Sequence, residues 1–518
     1  MHSNIILVTL NAKYIHASFG LRYLHANMQD LAERTSILEF DINQKINDIA
    51  ESILDKSPTI LGFGIYIWNV EPTSKLVSIL RKLKPDLKII VGGPEVSYEY
   101  SEQEWLKQVD YLITGEADLA FYDLCKDLLI EPEVDRLSQK KVIHATIPDV
   151  KSIRHPYDLY ASADLQNRIV YVEASRGCPF TCEFCLSSLD VPVRAFPIDP
   201  FLQAMDQLFQ RGLRHFKFVD RTFNLNINTG KAILHFFLER MEPGLFLHFE
   251  MIPDRLPEPL REIIAKFPKG SIQFEIGIQS FNTEVSNNIS RRQNLEKLED
   301  NLKFLRKQTG VHLHVDLIAG LPGENLESFG EGFDRLIHLN PQEIQIGILK
   351  RLRGTPIVRH EAEFEMVYDD CPPYEVLNTK DISFADLQRV KRFARYWDLI
   401  GNSGNFMQSV HLIWEKSQDP FASFLKFSDW LYRTTGRRHG IALTKLLECV
   451  FDYLVEFASI KPERAAKSLW EDYQHGGRND RPIVLRPYLE ALESEDTGIS
   501  DQKTHTHQKR QKMHQKTD

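Results

Sequence analysis

Hydrophobic and polar positions along the first 130 residues alternate between short apolar runs and longer amphipathic stretches. The apolar runs Ile5–Thr9, Ser36–Asp41, Thr59–Trp68, Leu87–Val91 and Asp110–Thr114 read as buried strands. Leu21–Arg34 and Glu71–Leu83, between them, carry the apolar spacing of amphipathic helices. Buried strands alternating with helices predict an α/β fold with an N-terminal doubly wound, flavodoxin-like parallel sheet over residues 1–130, because each parallel pair needs a crossover whose helix covers a face. A stretch over 131–167, rich in charge and proline, reads as a linker. A second alternation follows, with strands predicted at Arg168–Glu173, Arg214–Val219, Leu245–Met251, Ser271–Gly277, His312–Ala319 and Glu343–Leu349. Those units, spread over 168–356, are fewer than a closed eightfold barrel needs and predict a partial (β/α)6 barrel. From 357 to 492 the alternation stops; Phe384–Leu399, Pro420–Tyr432, Leu443–Phe457 and Glu463–Tyr473 predict a mainly helical C-terminal domain, expected as a cap over the site. The polar tail 493–518, with its His and Lys runs, predicts disorder.

Length and composition add limits to this picture. A chain of 518 residues is too long for one ordinary core, and 42% apolar with 26% charged residues is the balance of a globular protein. No apolar run reaches the length of a bilayer span, and a net charge of −9 gives no clear nucleic-acid signal, so neither a membrane nor a nucleic acid is expected as partner. Without an apolar leader, and with Cys125, Cys371 and Cys449 scattered singly, the expected location is a reducing cytoplasm.

The other three of the six cysteines crowd into one loop, Ser175-Arg-Gly-Cys178-Pro-Phe-Thr-Cys182-Glu-Phe-Cys185. Thiols this close call for a bound metal or a covalent link. A disulfide network conflicts with the reducing compartment, and a zinc site lacks a nearby fourth ligand, His215 lying in a predicted strand. An iron-sulfur cube held by three thiolates, one iron left open, fits this spacing best. The C-x3-C-x2-C spacing with Phe184 before the last cysteine resembles the signature of the radical S-adenosylmethionine (radical SAM) superfamily. That resemblance implies a [4Fe-4S] cluster on Cys178, Cys182 and Cys185, SAM chelated to the open iron, reductive cleavage of SAM to a 5'-deoxyadenosyl radical, and an electron donor such as flavodoxin or ferredoxin. It also implies SAM contacts from Phe184, from Asp220 in Asp220-Arg-Thr-Phe, from Glu250 and Gln279 at strand ends, and from Gly320 in Gly320-Leu-Pro-Gly-Glu. Each has a plainer reading: Asp220 as a helix cap, Glu250 in a salt bridge, Gln279 satisfying backbone, Gly320 as a turn, Phe184 as packing.

Ligands of doubly wound sheets bind beyond the strands' carboxyl ends, which directs attention to the turns there. These hold Asn11 and His16 after the first strand, Gly64 and Tyr66 along the third, Gly92, Gly93 and Glu95 after the fourth, and Gly115 and Glu116 after the fifth. Such a sheet directly before a radical SAM loop resembles the cobalamin-binding radical SAM class with an appended C-terminal domain of unknown function, and implies that these turns hold a corrin. The Asp-x-His-x-x-Gly motif of the mutases is broken here, Tyr14-Ile-His16-Ala-Ser-Phe-Gly20 lacking the Asp, which leaves His16 as a candidate cobalt ligand or a polar loop histidine. The implied activity is methyl transfer to an unidentified substrate. Two alternatives remain: a cobalamin-free radical SAM oxidation, cyclisation or rearrangement, and a non-catalytic SAM, cobalamin or redox sensor.

Overall fold

The computed structural model of the protein describes residues 4–129, 140–492 and 509–515. Its first layer is a sheet of β1 (Ile5–Asn11), β2 (Thr35–Asp41), β3 (Ile60–Gly64), β4 (Lys88–Gly92), β5 (Tyr111–Thr114) and β6 (Val142–His144), in the spatial order β2-β1-β3-β4-β5-β6. Every pairing is parallel. The strand order turns back between β1 and β3, and helices on both faces close two separate apolar cores. All seven residues of β1 are buried, which explains why the run has no polar alternation.

One predicted strand ends early for a local reason. The run Thr59–Trp68 is extended only to Gly64, because buried Asn69 accepts from the Tyr66 amide at 2.8 Å and donates to Gly64 O at 3.0 Å. These bonds turn the chain into the helix Val70–Leu83. The linker is not free of structure either: Val142–His144 pairs beside β5 and extends the sheet.

A second sheet follows, made of β7 (Val170–Val172), β10 (His215–Phe218), β11 (Phe246–Glu250), β12 (Ile272–Gln279), β13 (His312–Ala319) and β14 (Glu343–Ile348). Its strands lie in sequence order, all parallel, open between β14 and β7. Between β7 and β10 a small ribbon of β8 (Ser175–Arg176) and β9 (Arg194–Ala195) frames the cysteine loop. The architecture is therefore a doubly wound sheet followed by a six-strand partial barrel, and each predicted barrel strand is present.

Beyond the antiparallel pair β15 (Val367–Tyr368) and β16 (Val376–Asn378), the chain is helical at Phe384–Ile400, Pro420–Thr435, Leu443–Glu456 and Pro462–His475. These helices share one continuous core with the barrel: Phe333 on a barrel helix meets Trp397 and Phe393 edge-on, at 4.8 and 5.0 Å. Phe384–Ile400 packs beside β14 and Pro420–Thr435 on the barrel helix Leu326–Leu339, and among the described residues none of the four helices lines the cavities at the barrel's carboxyl end. The expected cap is thus corrected to a buttress.

The tail departs from expectation in part. Lys509–Gln515 forms a helix whose Arg510 reaches Glu343 at 3.2 Å and Asp398 at 2.9 Å. His514, buried and pushed down to about 4 chiefly by that burial, bonds Asn402 O at 3.0 Å. This docks the helix at the amino ends of β13 and β14; residues 493–508 and 516–518 lie outside the described residues. No helix among the described residues is long and apolar enough to cross a membrane.

Candidate functional site

Two cavities open where the carboxyl ends of the two sheets face each other. The first, about 410 Å³, lies on Gly64, Tyr66, Gly92, Gly93, Gly115 and Glu116, with Ile90, Val91, Ile113 and Phe121 as an apolar floor. The second, about 280 Å³, holds Cys178, Cys182, Cys185, Phe184, Glu250 and Gln279. Ser187 and Arg221 line both, so the two spaces adjoin across these residues. Among the described residues, none after Asp316 lines either one.

The cysteine loop is held by side chains on neighbouring strands. Asp220, at the end of β10, accepts from the Ala174 amide at 2.9 Å and from Ser175 Oγ at 2.6 Å, so it fixes the backbone that enters the loop. Burial pushes its carboxyl up to about 6, opposed by those hydrogen bonds. Gly177, at φ +86, could carry no side chain: a Cβ would meet Pro192 O at 2.7 Å. Between the second and third cysteines, buried Glu183 accepts from His360 at 2.9 Å and pairs with Ser290 and Arg359. Arg291 Nη1 lies 3.3 Å from Cys182 Sγ. Burial, with the neighbouring thiols adding, raises Cys178.

Three clustered thiols on one cavity wall fit an iron-sulfur cube, whose corners each take a different ligand. The same wall also fits a polar ligand beside that cube. Among the described residues, buried Gln279 Oε1, Gln293 Oε1, Asp316 Oδ1 and Arg291 Nε have no hydrogen-bond partner, and all four residues line this cavity. Gln279 sits at φ +73 on a bulge of β12, a strained backbone of the kind kept at binding sites. Asp316 is pushed up to about 7, first by burial and then by Glu275 and Glu250, with His314 opposing. The first cavity suits a large, mainly apolar group with amide edges, since glycine-backed turns let backbone approach it.

Of the sequence candidates, Phe184, Glu250 and Gln279 stand on the cysteine cavity, and Gly64, Tyr66, Gly92, Gly93, Gly115 and Glu116 on the other. Glu250 is also salt-bridged, to Arg221 Nη1 at 2.9 Å, and burial raises its carboxyl. Five candidates line neither cavity. Asp220 serves the loop backbone, as described. Gly320 packs against the C-terminal strand pair, where a Cβ would meet Val376 Cγ1 at 2.5 Å. Asn11 bonds His16 O and Glu39, at 2.9 and 3.0 Å. His16 Nδ1 bonds Tyr171 Oη at 2.7 Å, and its backbone bridges Ile169, so it ties the sheet to the barrel edge and does not line the corrin-sized space. Glu95, buried, takes Tyr374 Oη and Arg353 Nε at 2.5 and 3.1 Å, a clamp between the sheet and the segment after β14.

Sequence reasoning missed the arginines. Arg176 is wholly committed, to Glu173 at 2.9 Å, Glu116 at 3.0 Å and Asp118 at 2.8 Å, and it stacks on Tyr23 at 4.5 Å. Burial pushes Glu173 up to about 7 against the pull of Arg176. Arg176 and Arg221 flank motif residues that had been singled out, but no spacing rule says which way a side chain beside a motif faces.

Comparisons with known proteins agree with this arrangement. The B12 binding domain family matches residues 5–125, the radical SAM superfamily 172–336, and a family described as a protein of unknown function (DUF4080) 362–517. An uncharacterized methyltransferase of Pyrococcus horikoshii, PH0819, is 24% identical over 333 residues, 60% of this chain and 70% of that protein. The cobalamin-dependent radical SAM methyltransferase TokK of Streptomyces tokunonensis is 23% identical over 354 residues, 60% of this chain but only 49% of its own length. Among solved structures, the cobalamin-dependent SAM radical enzyme OxsB, with aqua-cobalamin and SAM bound, shares the fold at a TM-score of 0.62, covering 95% of this chain and 83% of that one at 14% identity. The radical SAM methyltransferase TsrM of Kitasatospora setae, with cobalamin and a [4Fe-4S] cluster bound, does so at 0.55, covering 70% and 75% at 16% identity.

Proposed function

We propose that this chain, a radical SAM protein with an amino-terminal B12-binding domain and a C-terminal DUF4080 domain, is a cobalamin-dependent methyltransferase acting on a substrate held between its two cavities. The observation that carries the reading is the adjacency: a three-thiol cavity and a glycine-walled cavity share Ser187 and Arg221. Cys178, Cys182 and Cys185 would hold the [4Fe-4S] cluster, with Phe184, Glu250, Gln279, Gln293 and Asp316 around SAM, and the turns at Gly64, Gly92, Gly93 and Gly115 around cobalamin. When bound, these cofactors supply reductive SAM cleavage on one side and a transferable methyl group on the other. The chain's own residues position and seclude. Asp220 and Glu183 hold the cysteine loop, the four unpartnered polar atoms select the donors and acceptors of a nucleoside and amino acid, and the Arg176 cluster closes the floor with its carboxylates neutralised. An electron from a flavodoxin- or ferredoxin-type donor is part of this proposal.

The test is anaerobic. Protein purified from a cobalamin-replete host and reconstituted with iron and sulfide is reduced with methyl-deuterated SAM present; corrin content, 5'-deoxyadenosine and S-adenosylhomocysteine are then measured. All three are expected, with labelled methyl in product once an acceptor is supplied. Absence of corrin would remove methyl transfer in favour of a cobalamin-free reaction. Absence of 5'-deoxyadenosine beside a competent control would remove radical chemistry and leave the sensor reading.

A further inference from the structure

Any molecule reached from both cavities must touch what the cavities share, and that is Ser187 and Arg221. Arg221 follows β10 directly after Asp220, whose side chain is spent on the cysteine loop. Its Nη1 is held by both Glu250 oxygens, at 2.9 and 3.2 Å. Among the described residues nothing hydrogen-bonds its Nε or Nη2, and the side chain keeps 49% of its surface accessible although it stands on the walls of two cavities. The hydroxyl of Ser187, on the four-residue turn Leu186–Leu189 after Cys185, likewise makes no hydrogen bond among the described residues. Of the other arginines near the junction, Arg176, Arg194 and Arg291 are engaged, while the exposed Arg292 stands on the second cavity alone and not where the two meet. Arg176 uses Nε, Nη1 and Nη2 on Glu173, Glu116 and Asp118. Arg194 pairs with Glu116 and Asp190, and Arg291 with Cys182 Sγ and Gly277 O. The carboxylates around the first cavity, Glu116, Asp118, Glu173 and Asp190, are therefore each compensated by Arg176 or Arg194, whereas Arg221 presents an open fork pinned in orientation by Glu250.

A guanidinium edge with two parallel N–H donors, preset by a carboxylate and joined by a hydroxyl, is the recognition geometry of an oxyanion. We propose that the methyl acceptor is an anionic molecule whose carboxylate or phosphate docks on Arg221 and Ser187 at the junction of the two cavities. This rests on the methyltransferase reading for the word acceptor, but the anion site itself is testable without turnover. Arg221 then sets specificity: it positions the acceptor by its charged group and leaves the rest of the molecule to the space between the cofactors.

The test uses holoprotein carrying cluster and corrin, with SAM present, and two probes, inorganic phosphate and acetate, whose binding is read by ³¹P and ¹³C nuclear magnetic resonance line broadening. Saturable binding of at least one probe is expected, and the stronger probe tells phosphate from carboxylate. R221Q should weaken it about tenfold or more, R221K should restore part of it, and S187A should weaken it less. Corrin content and SAM affinity, read from the change in the cluster's paramagnetic resonance on adding SAM, should stay within about twofold in all variants. Saturable binding of neither probe, or unchanged binding in R221Q, overturns the proposal. So does a loss in R221Q that falls on SAM or on corrin, since Arg221 would then serve a cofactor. S187A, which removes no hydrogen bond among the described residues, keeps the question answerable if R221Q is unstable. Failure of methyl transfer with probe binding intact would sink the function reading and not this one.

Discussion

Replacing Gly93 with Ala tests whether the turn after β4 is a corrin cradle or merely a tight corner. Gly93 stands at φ +116, which side-chain-bearing residues rarely adopt, and a Cβ there would lie 2.4 Å from Ile65 O and 3.0 Å from Ile65 N. The obstacle is backbone, so the Ile65 carbonyl has to retreat by roughly an ångström before dispersion contact turns attractive. That carbonyl sits between Gly64 and Tyr66, both on the cavity wall, and the Ile65 amide is bonded to Gly92 O at 2.8 Å. The strained backbone costs about 1–3 kcal/mol and a weakened hydrogen bond about 1 kcal/mol more. If the apo protein relaxes this strain by opening the turn, the sum of about 2–4 kcal/mol is charged to cofactor binding, lowering corrin affinity roughly 30- to 1,000-fold. The assay is titration of hydroxocobalamin into apoprotein followed by absorbance, with cluster content and thermal midpoint measured alongside. Gly212→Ala is the control: φ is +96 there as well, but nothing lies within 4 Å of the new Cβ and the turn is remote from the cavity. It should lower the midpoint slightly and leave corrin binding intact. Should Gly93→Ala bind corrin within about twofold of wild type, the placement of the cofactor against this turn is wrong.

Other consequences can be checked separately. His16→Ala should leave the spectrum and amount of bound corrin unchanged, because His16 is bonded to Tyr171 away from the cavity; a lost or shifted cobalt band would restore it as a ligand. Glu39→Gln removes one charge from a buried network in which Glu39 meets Arg22 at 2.9 Å and Arg168 at 2.7 Å while Asp164 also meets both. With Asp164 remaining, about 2–3 kcal/mol should be lost, seen as faster limited proteolysis between sheet and barrel. Asp220 has its folded-state value raised to about 6 from an ordinary 3.8, so the folded protein holds this proton more tightly than the unfolded chain. Its contribution is fully present below about pH 4 and is lost as pH rises toward 6, by up to about 3 kcal/mol, with no further change above. Asp220→Asn should flatten that part of a plot of thermal midpoint against pH, and an unaltered slope would refute the assignment.

How much of this was legible in the sequence depends on the range of the interaction concerned. Strand and helix order follow from local apolar periodicity, so the β1–β5 and barrel runs appear where the pattern puts them, with shifts only where a side chain such as Asn69 intervenes. The cysteine trio is equally local, since a cube needs its thiols close in sequence as well as in space. Val142–His144 escaped notice because three residues carry too little pattern, and its strand identity comes from the β5 edge waiting to be paired. Candidates named for standing after a strand divided by facing direction. Gly93 and Gly115 meet the cavity, while Asn11 turns to Glu39 and His16 within the first sheet, and His16 and Glu95 turn to residues beyond it.

The sequence by itself therefore determined the layers, their order and the metal-binding loop, all of which rest on contacts between near neighbours or on periodicities of two and 3.6 residues. Only the tertiary structure decided what lies between the layers. The helical region became a buttress because Phe393 and Trp397 bury against Phe333, more than fifty residues away, and the tail helix is pinned by Glu343 and Asn402. The junction at Ser187 and Arg221 exists only once two sheets have turned their carboxyl ends toward each other. Which charges are neutralised there and which is left open is a sum over residues from Glu116 to Glu250, and no linear pattern contains that sum.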